Sequence, residues 1–195
     1  MPASTSQFNV EMVSSAYWRI SFDNPPYNLL NPETIREFQT LVDQIESADS
    51  LRVVVFDSSN PDYFLGRYDL SRAAETPTET GPSGLPMWTD MTVRLTQASV
   101  VSIALMRGRT RGGGAELALS FDMRFASLEK AIFGQPEVGA GVIPGGGALE
   151  RLPMLMGRPR TLEVVLGSED FDARTAELYG WVNRALPDAA LDVHV

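Results

Sequence analysis

Three consecutive glycines, Gly112-Gly113-Gly114, followed by Ala115-Glu116-Leu117, constrain this chain more than any other stretch. Residues without side chains permit backbone conformations and close approaches that other residues forbid. Immediately upstream, Val100-Val101-Ser102-Ile103-Ala104-Leu105-Met106 is too short and too β-branched for a helix of its own, and reads as a buried strand. Downstream, Ala115 to Ser120 reads as helix. The first turn of a helix leaves N–H donors without intrahelical partners, and such donors can hold a developing negative charge. Glu116 then stands one turn inside the helix, within reach of whatever those amides bind. Taken alone, the stretch is more simply an ordinary glycine turn followed by a solvated glutamate. The rest of the chain has to decide between the two.

Composition removes several alternatives. With 195 residues and 44% hydrophobic content the chain can bury a real core, and a single domain over residues 1–195 is expected. It has no cysteine, which excludes disulfides, thiol nucleophiles and cysteine-ligated zinc. Its one histidine, His194, is next to the last residue, so neither a histidine-based triad nor a histidine metal site is expected. A net charge of −9 argues against nucleic-acid binding, which draws on clustered cations. No run of eighteen apolar residues is present, so no membrane span is expected. Met1 to Ser6 lacks the basic and apolar parts of a secretory signal, making the cytoplasm the expected location. The basic residues are few but unevenly spread. Arg107, Arg109 and Arg111 alternate just before the glycines, either to meet a phosphorylated ligand or as a solvated, ion-paired loop.

Phe8, Val10 and Met12 alternate with polar residues, and after Ser14-Ser15 come Trp18, Ile20 and Phe22, a β-hairpin with one buried face. Asn24-Pro25-Pro26-Tyr27-Asn28 breaks it. Asn31 is a good N-cap with Pro32 at the first helical position, and Ile35, Phe38, Leu41, Val42 and Ile45 recur at helical spacing. Arg52 to Phe56 reads as a strand ended by Asp57-Ser58-Ser59-Asn60-Pro61. Glu75 to Pro86 reads as a mobile polar loop with only Leu85 to bury, after which Trp88, Met91 and Leu95 resume a helical face. Two short strands follow, Met123 to Ala126 and Ala131 to Phe133, then a second acid-bearing turn, Gly134-Gln135-Pro136-Glu137. Gly139 to Gly147 holds five glycines and Pro144, which suits close backbone approach but not a dinucleotide fingerprint. Leu149 to Met156 reads as a short helix, with a second helix beginning near Pro159 and burying Leu162, Val165 and Leu166. Asp172 caps a helix through Tyr179, Trp181 to Leu186 is extended, and Pro187-Asp188 opens a last short element.

Glu116 and Glu137 each follow a strand-like segment, which allows them to meet at one edge of a sheet, although spacing alone does not require it. Two carboxylates converging on one water have their proton affinities pushed apart by repulsion, so one can accept a proton while the other donates. That would be general acid–base chemistry without histidine or metal.

Five stretches, in order, resemble the crotonase superfamily, the enoyl-CoA hydratase/isomerase family, over about Phe8 to Leu186. They are Asn24-Pro25-Pro26-Tyr27-Asn28-Leu29, Phe64-Leu65-Gly66-Arg67-Tyr68-Asp69-Leu70, Gly112 to Ala118, Phe133-Gly134-Gln135-Pro136-Glu137, and Ile143-Pro144-Gly145-Gly146-Gly147. Each is weak by itself and their order is what makes the resemblance specific. It implies an α/β fold, the crotonase-like (ClpP/crotonase) spiral of ββα units, with an acyl-CoA thioester as substrate and no cofactor beyond coenzyme A itself. The thioester oxygen would lie on the backbone N–H groups of Tyr68 and Gly113. Glu116 and Glu137 would bind a water for addition across an α,β double bond, with Gly145, Gly112 and Pro136 positioning water and substrate. Gly66, Arg67, Asp69 and Leu70 join Arg107, Arg109 and Arg111 as candidate CoA contacts. Carrying both acids favours hydration over isomerisation, since branches that shift double bonds often keep only the later one.

Three departures accompany the resemblance. Arg67 and Tyr68 stand where the family usually has glycine and a small residue, and a positive φ at Arg67 would cost on the order of 1 kcal/mol. Arg111 replaces a small or apolar residue before the glycines. The resemblance also implies further C-terminal helices that cover the site and build a trimer, so a homo-oligomer is expected only with a region that is largely absent from this sequence, and apolar surface is expected where those helices would pack.

Overall fold

The computed structural model describes residues 6–195, so the stretch bearing on secretion, Met1 to Ser6, lies outside the described residues except for Ser6. The chain opens with the hairpin β1 (Phe8–Ser14) and β2 (Tyr17–Phe22), paired from Phe8 against Phe22. Helix α1 (Pro32–Ser47) follows. Its cap is reciprocal: the Asn31 side chain accepts from Thr34 N at 2.9 Å, and Thr34 Oγ1 accepts from Asn31 N at 3.0 Å. Ile35, Phe38, Leu41, Val42 and Ile45 are all buried, as their spacing predicts.

The remainder repeats one pattern. A strand in a large sheet is followed by a short strand in a second, smaller sheet and then by a helix. The first unit is β3 (Val53–Ser58), β4 (Tyr63–Leu65) and α2 (Met87–Gln97). The second is β5 (Val101–Met106), β6 (Arg109–Arg111) and α3 (Gly113–Ala118). The third is β7 (Met123–Ser127), β8 (Ile132–Gly134) and α4 (Ala148–Gly167). The chain then runs through β9 (Asp170–Asp172), α5 (Ala173–Tyr179), β10 (Arg184–Leu186) and α6 (Asp188–His194). The large sheet has the order β1-β2-β3-β5-β7-β10, parallel from β2 onward, and the small one the order β4-β6-β8-β9, parallel up to β8. This mixed α/β spiral of ββα units is the fold that the resemblance implies.

Several local readings change. Strands β6 and β9 are absent from the sequence pattern because three residues are too few to establish alternation. Helix α3 begins at Gly113 instead of Ala115, placing the glycines inside its first turn. The two helices read after Gly147 run on as α4, kinked at Gly157, whose φ is 75°. Past that kink Thr161, Val164 and Val165 face the core, while Leu162 and Leu166 are exposed. The kink resets the helical phase, so a single periodic pattern misplaces the buried stripe. Met154, Leu162, Leu166 and, on α5, Leu178 present apolar side chains to solvent. The polar segment before α2 is tied down by its own bonds: Gly81 N to Leu85 O at 2.8 Å, Met87 N to Glu79 O at 3.0 Å, and Ser83 N to the buried Asp90 carboxylate at 2.8 Å. Pro77 is buried there and Leu85 is exposed, the reverse of expectation.

The aromatic side of the core is one connected stack, with the Phe38 ring 5.5 Å from that of Phe8 and 5.9 Å from that of Phe56. Phe38 is fully buried. Phe38→Ala is expected to cost about 3–5 kcal/mol of stability through lost burial and a residual cavity, read as a lower midpoint in urea unfolding with an unchanged slope.

Candidate active site

The three glycines act at the point where α3 meets β4. Gly112 takes φ of 51°, turning the chain sharply out of β6. A side chain at Gly114 would overlap the Leu65 and Gly66 carbonyls, so α3 packs against the end of β4 only because no Cβ is there. This contact brings Tyr68 beside Gly113: a Cβ placed on Gly113 would lie 3.5 Å from Tyr68 N. Tyr68 forms a parallel bridge with Leu30, in which Leu30 N donates to Arg67 O at 3.1 Å and Asp69 N donates to Leu30 O at 2.8 Å. In such a bridge the flanking residues make the hydrogen bonds, and the Tyr68 N–H points the other way. The Gly113 N–H begins a helix and has no intrahelical acceptor. Two amides therefore sit together without backbone partners.

Asn28 fixes the other side of this arrangement, and nothing in the sequence pattern assigns it that task. It is fully buried with φ of 48°, a conformation that asparagine tolerates better than most residues. Its amide nitrogen donates to Ser58 Oγ at 2.7 Å and to the Tyr63 carbonyl at 3.1 Å, while its own carbonyl accepts from Gly66 N at 2.7 Å. Arg67 has no positive φ: the left-handed conformation expected there is at Asn28 instead, so the anticipated strain does not arise.

The acids converge because β6 and β8 are parallel neighbours, Arg111 pairing with Gly134. Glu116 leaves the first turn of α3 and Glu137 follows Pro136 past the end of β8. Both open onto one cavity of about 1040 Å³, which Tyr68, Gly112, Gly113, Pro136 and Gly145 also line. Glu116 is buried, and its Oε1 accepts from Gly146 N at 2.7 Å and Ala148 N at 3.1 Å. Burial outweighs these two bonds and holds its carboxyl above the ordinary glutamate range. Glu137 lies with Oε1 beside Gly112, 2.8 Å from where a Cβ there would sit, and its buried Oε2 has no partner among the described residues. Burial, reinforced by the charge of Glu116, pushes its pKa up to about 7.

The candidate CoA contacts divide. Gly66, Arg67, Leu70, Arg109 and Arg111 line the cavity. Arg107 does not: it bonds Asp188 at 2.8 Å and Asp192 at 2.6 Å on α6. Asp69 does not either, since its carboxylate caps the turn at Leu70–Glu75 by accepting from Ser71 N at 3.1 Å. Arg109 and Arg111 alternate on β6 and so share a face, whereas Arg107 precedes the strand. Arg111 Nε lies 2.9 Å from Asp170 Oδ1, poorly aligned for a hydrogen bond. The Tyr68 ring lines the cavity too, held by a 2.7 Å contact between its hydroxyl and Thr76 Oγ1. Among the described residues no group of three or more His, Asp or Glu side chains is placed to hold a metal ion, and no helix is long and apolar enough to cross a membrane.

A ββα spiral with two acids and two unpartnered amides around one cavity is a crotonase-type domain. Similarity to known proteins agrees with this. The sequence model of the enoyl-CoA hydratase/isomerase family matches residues 13–195. A short-chain-enoyl-CoA hydratase of Clostridium acetobutylicum is 31% identical over 164 residues, covering 84% of this chain and 62% of that protein. The chain thus spans under two thirds of the length of this relative. Among solved structures, a candidate enoyl-CoA hydratase from Streptomyces avermitilis is 43% identical with a TM-score of 0.89, over 100% of this chain and 70% of that one. An enoyl-CoA hydratase from Bacillus anthracis is 27% identical with a TM-score of 0.85, over 97% and 73% respectively. The chain belongs to the enoyl-CoA hydratase/isomerase family.

The raised pKa of Glu137 has a consequence for stability. An acid that titrates near 7 when folded and near its ordinary value of 4.5 when unfolded destabilises the fold progressively as pH rises between those values. Glu137→Gln is therefore expected to stabilise the protein by about 1–2 kcal/mol at pH 8, allowing for partial solvent screening. The gain should shrink steadily as pH is lowered towards 5, which thermal unfolding across that range measures.

Proposed function

We propose that this domain binds acyl-CoA thioesters and hydrates the α,β double bond of an enoyl-CoA. The observation that carries the reading is the convergence of Glu116, Glu137 and the paired amides of Tyr68 and Gly113 on one cavity. The thioester oxygen accepts from the two amides, where charge develops as the enolate forms and where fixed donors stabilise the transition state more than the ground state. A water held between the carboxyl groups adds its oxygen to the β-carbon. One carboxylate takes a proton from that water and the other carboxyl gives a proton to the α-carbon. Two groups held in different protonation states suit this exchange, and the pKa near 7 of Glu137 suits an acid–base role at neutral pH. The Gly145 amide, at the cavity wall, is assigned to orienting the water. Isomerisation, the nearest alternative in the family, needs a single group to carry a proton between two carbons. The opening of both acids onto the cavity favours hydration.

Arg67, Arg109 and Arg111 give the cavity rim a positive character in a chain of net charge −9, and are assigned to the phosphates of CoA. A homo-oligomer and a cytoplasmic location are part of the same proposal, resting on family resemblance.

With crotonyl-CoA, loss of the conjugated thioester absorbance is expected. Glu116→Gln and Glu137→Gln should each lower kcat by at least about 100-fold with little change in KM; substantial turnover surviving either change would refute the paired-acid mechanism. Arg109→Glu should raise KM about tenfold at low ionic strength, an effect that shrinks as salt is added. A KM independent of both the charge reversal and salt would remove Arg109 from the CoA site.

A further inference from the structure

Trp88 belongs to no site that the sequence pattern assigns, where it reads only as part of the apolar face of α2. It is half-buried and lines the cavity. Its indole Nε1–H donates to the Gly146 carbonyl at 2.9 Å. The same Gly146 donates its N–H to Glu116 Oε1 at 2.7 Å. The three groups are stacked so closely that a Cβ on Gly146 would lie 2.6 Å from Glu116 Oε2 and 2.9 Å from the indole nitrogen. Gly146 sits in the segment between Gly141 and Gly147, which regular structure does not hold. Its two peptide groups are gripped from opposite sides, one by Trp88 and one by Glu116.

We propose that Trp88 is a positioning residue for Glu116, acting through Gly146. The indole anchors the Gly146 carbonyl and so keeps the Gly146 N–H aimed at Oε1. With Oε1 occupied by Gly146 and Ala148, Oε2 is the oxygen left for a ligand in the cavity. Glycine at 146 serves both requirements, since any side chain would fill the space shared by the carboxylate and the indole. The arrangement also links the acid to the segment before α2. Trp88 is the second residue of that helix, and Met87 N bonds back to Glu79 O at 3.0 Å. A ligand that displaces residues 79–87 would therefore be felt at Glu116. The inference rests on the reading of Glu116 as a reacting acid, but the positional claim can be tested without turnover.

The charged groups bearing on Glu116 are Glu137 across the cavity and Glu150 and Arg151 on α4. Trp88→Phe keeps the ring and alters none of them, removing only the N–H. The experiment follows the Glu116 carboxyl carbon by NMR through a pH titration in the wild type and in Trp88→Phe, with Glu116→Gln to assign the signal. Kinetics with crotonyl-CoA are measured on the same samples, and circular dichroism verifies folding. With the Gly146 donor released, the carboxylate loses stabilisation, so the Glu116 titration should move to higher pH. kcat should fall about tenfold while KM stays within about twofold, as expected for misplacement of a reacting group. An unchanged titration in a folded Trp88→Phe protein would overturn the proposal. If that variant does not fold, Trp88→His, whose ring can still donate an N–H, takes its place. Glu116 titration and kcat closer to wild type in Trp88→His than in Trp88→Leu would support the role, and equal effects in both would overturn it. A shifted titration in a protein whose wild type never turns over crotonyl-CoA would keep Trp88 as the positioning residue and refute the hydratase reading alone.

Discussion

The packing of α3 onto the end of β4, with no side chain between them, is the contact on which the site depends. Gly114 lies against the Leu65 and Gly66 carbonyls, and a Cβ there would force the two elements apart. Separation of even an ångström would part the Tyr68 and Gly113 amides, which can act on one oxygen only if they are neighbours. Asn28 supports the contact from behind by bonding the strand that carries Gly66. The proposed oxyanion hole is thus a product of backbone packing, and the side chains at 67 and 68 are free to differ from family habit without removing it. A bulky Tyr68 is tolerated because its ring turns along the cavity wall to reach Thr76.

How much of this was legible in the sequence depended on the range of the interaction. Helix α1 is fully announced by Asn31, Pro32 and five apolar residues at helical spacing, because local capping and one buried face decide it. The β1–β2 hairpin is equally plain. The two acids could be named, but their meeting depends on β6 and β8 lying side by side in a sheet of three-residue strands. Strands so short carry no pattern; their pairing is fixed by the larger sheet that delivers them. Resemblance supplied the fold where periodicity did not. The separate fates of the arginines were illegible for a related reason. Arg107, Arg109 and Arg111 look equivalent in sequence, yet Arg107 precedes the strand and is drawn to the acids of α6, which are 81 and 85 residues away.

Repetition of the ββα unit explains why the acids come to lie together at all. Each passage places its second strand in the small sheet, one position further along, and the turn after that strand opens at the same edge. Glu116 and Glu137 belong to consecutive passages. Their proximity therefore follows from topology and needs no direct attraction, which matters because two carboxylates repel.

That repulsion is tolerated because the fold treats the two acids unequally. Glu116 is more deeply buried but receives two backbone N–H groups, which offset part of the cost of a charge there. Glu137 receives no hydrogen bond at Oε2 and is the one driven to a pKa of about 7. Had both carboxyl groups been solvated, both would be ionised at neutral pH and neither could donate a proton. Had both been buried without donors, both would be protonated and neither could accept one. The Gly146 and Ala148 amides break this symmetry, so the segment from Gly145 to Ala148 is as much a part of the acid–base apparatus as the glutamates themselves.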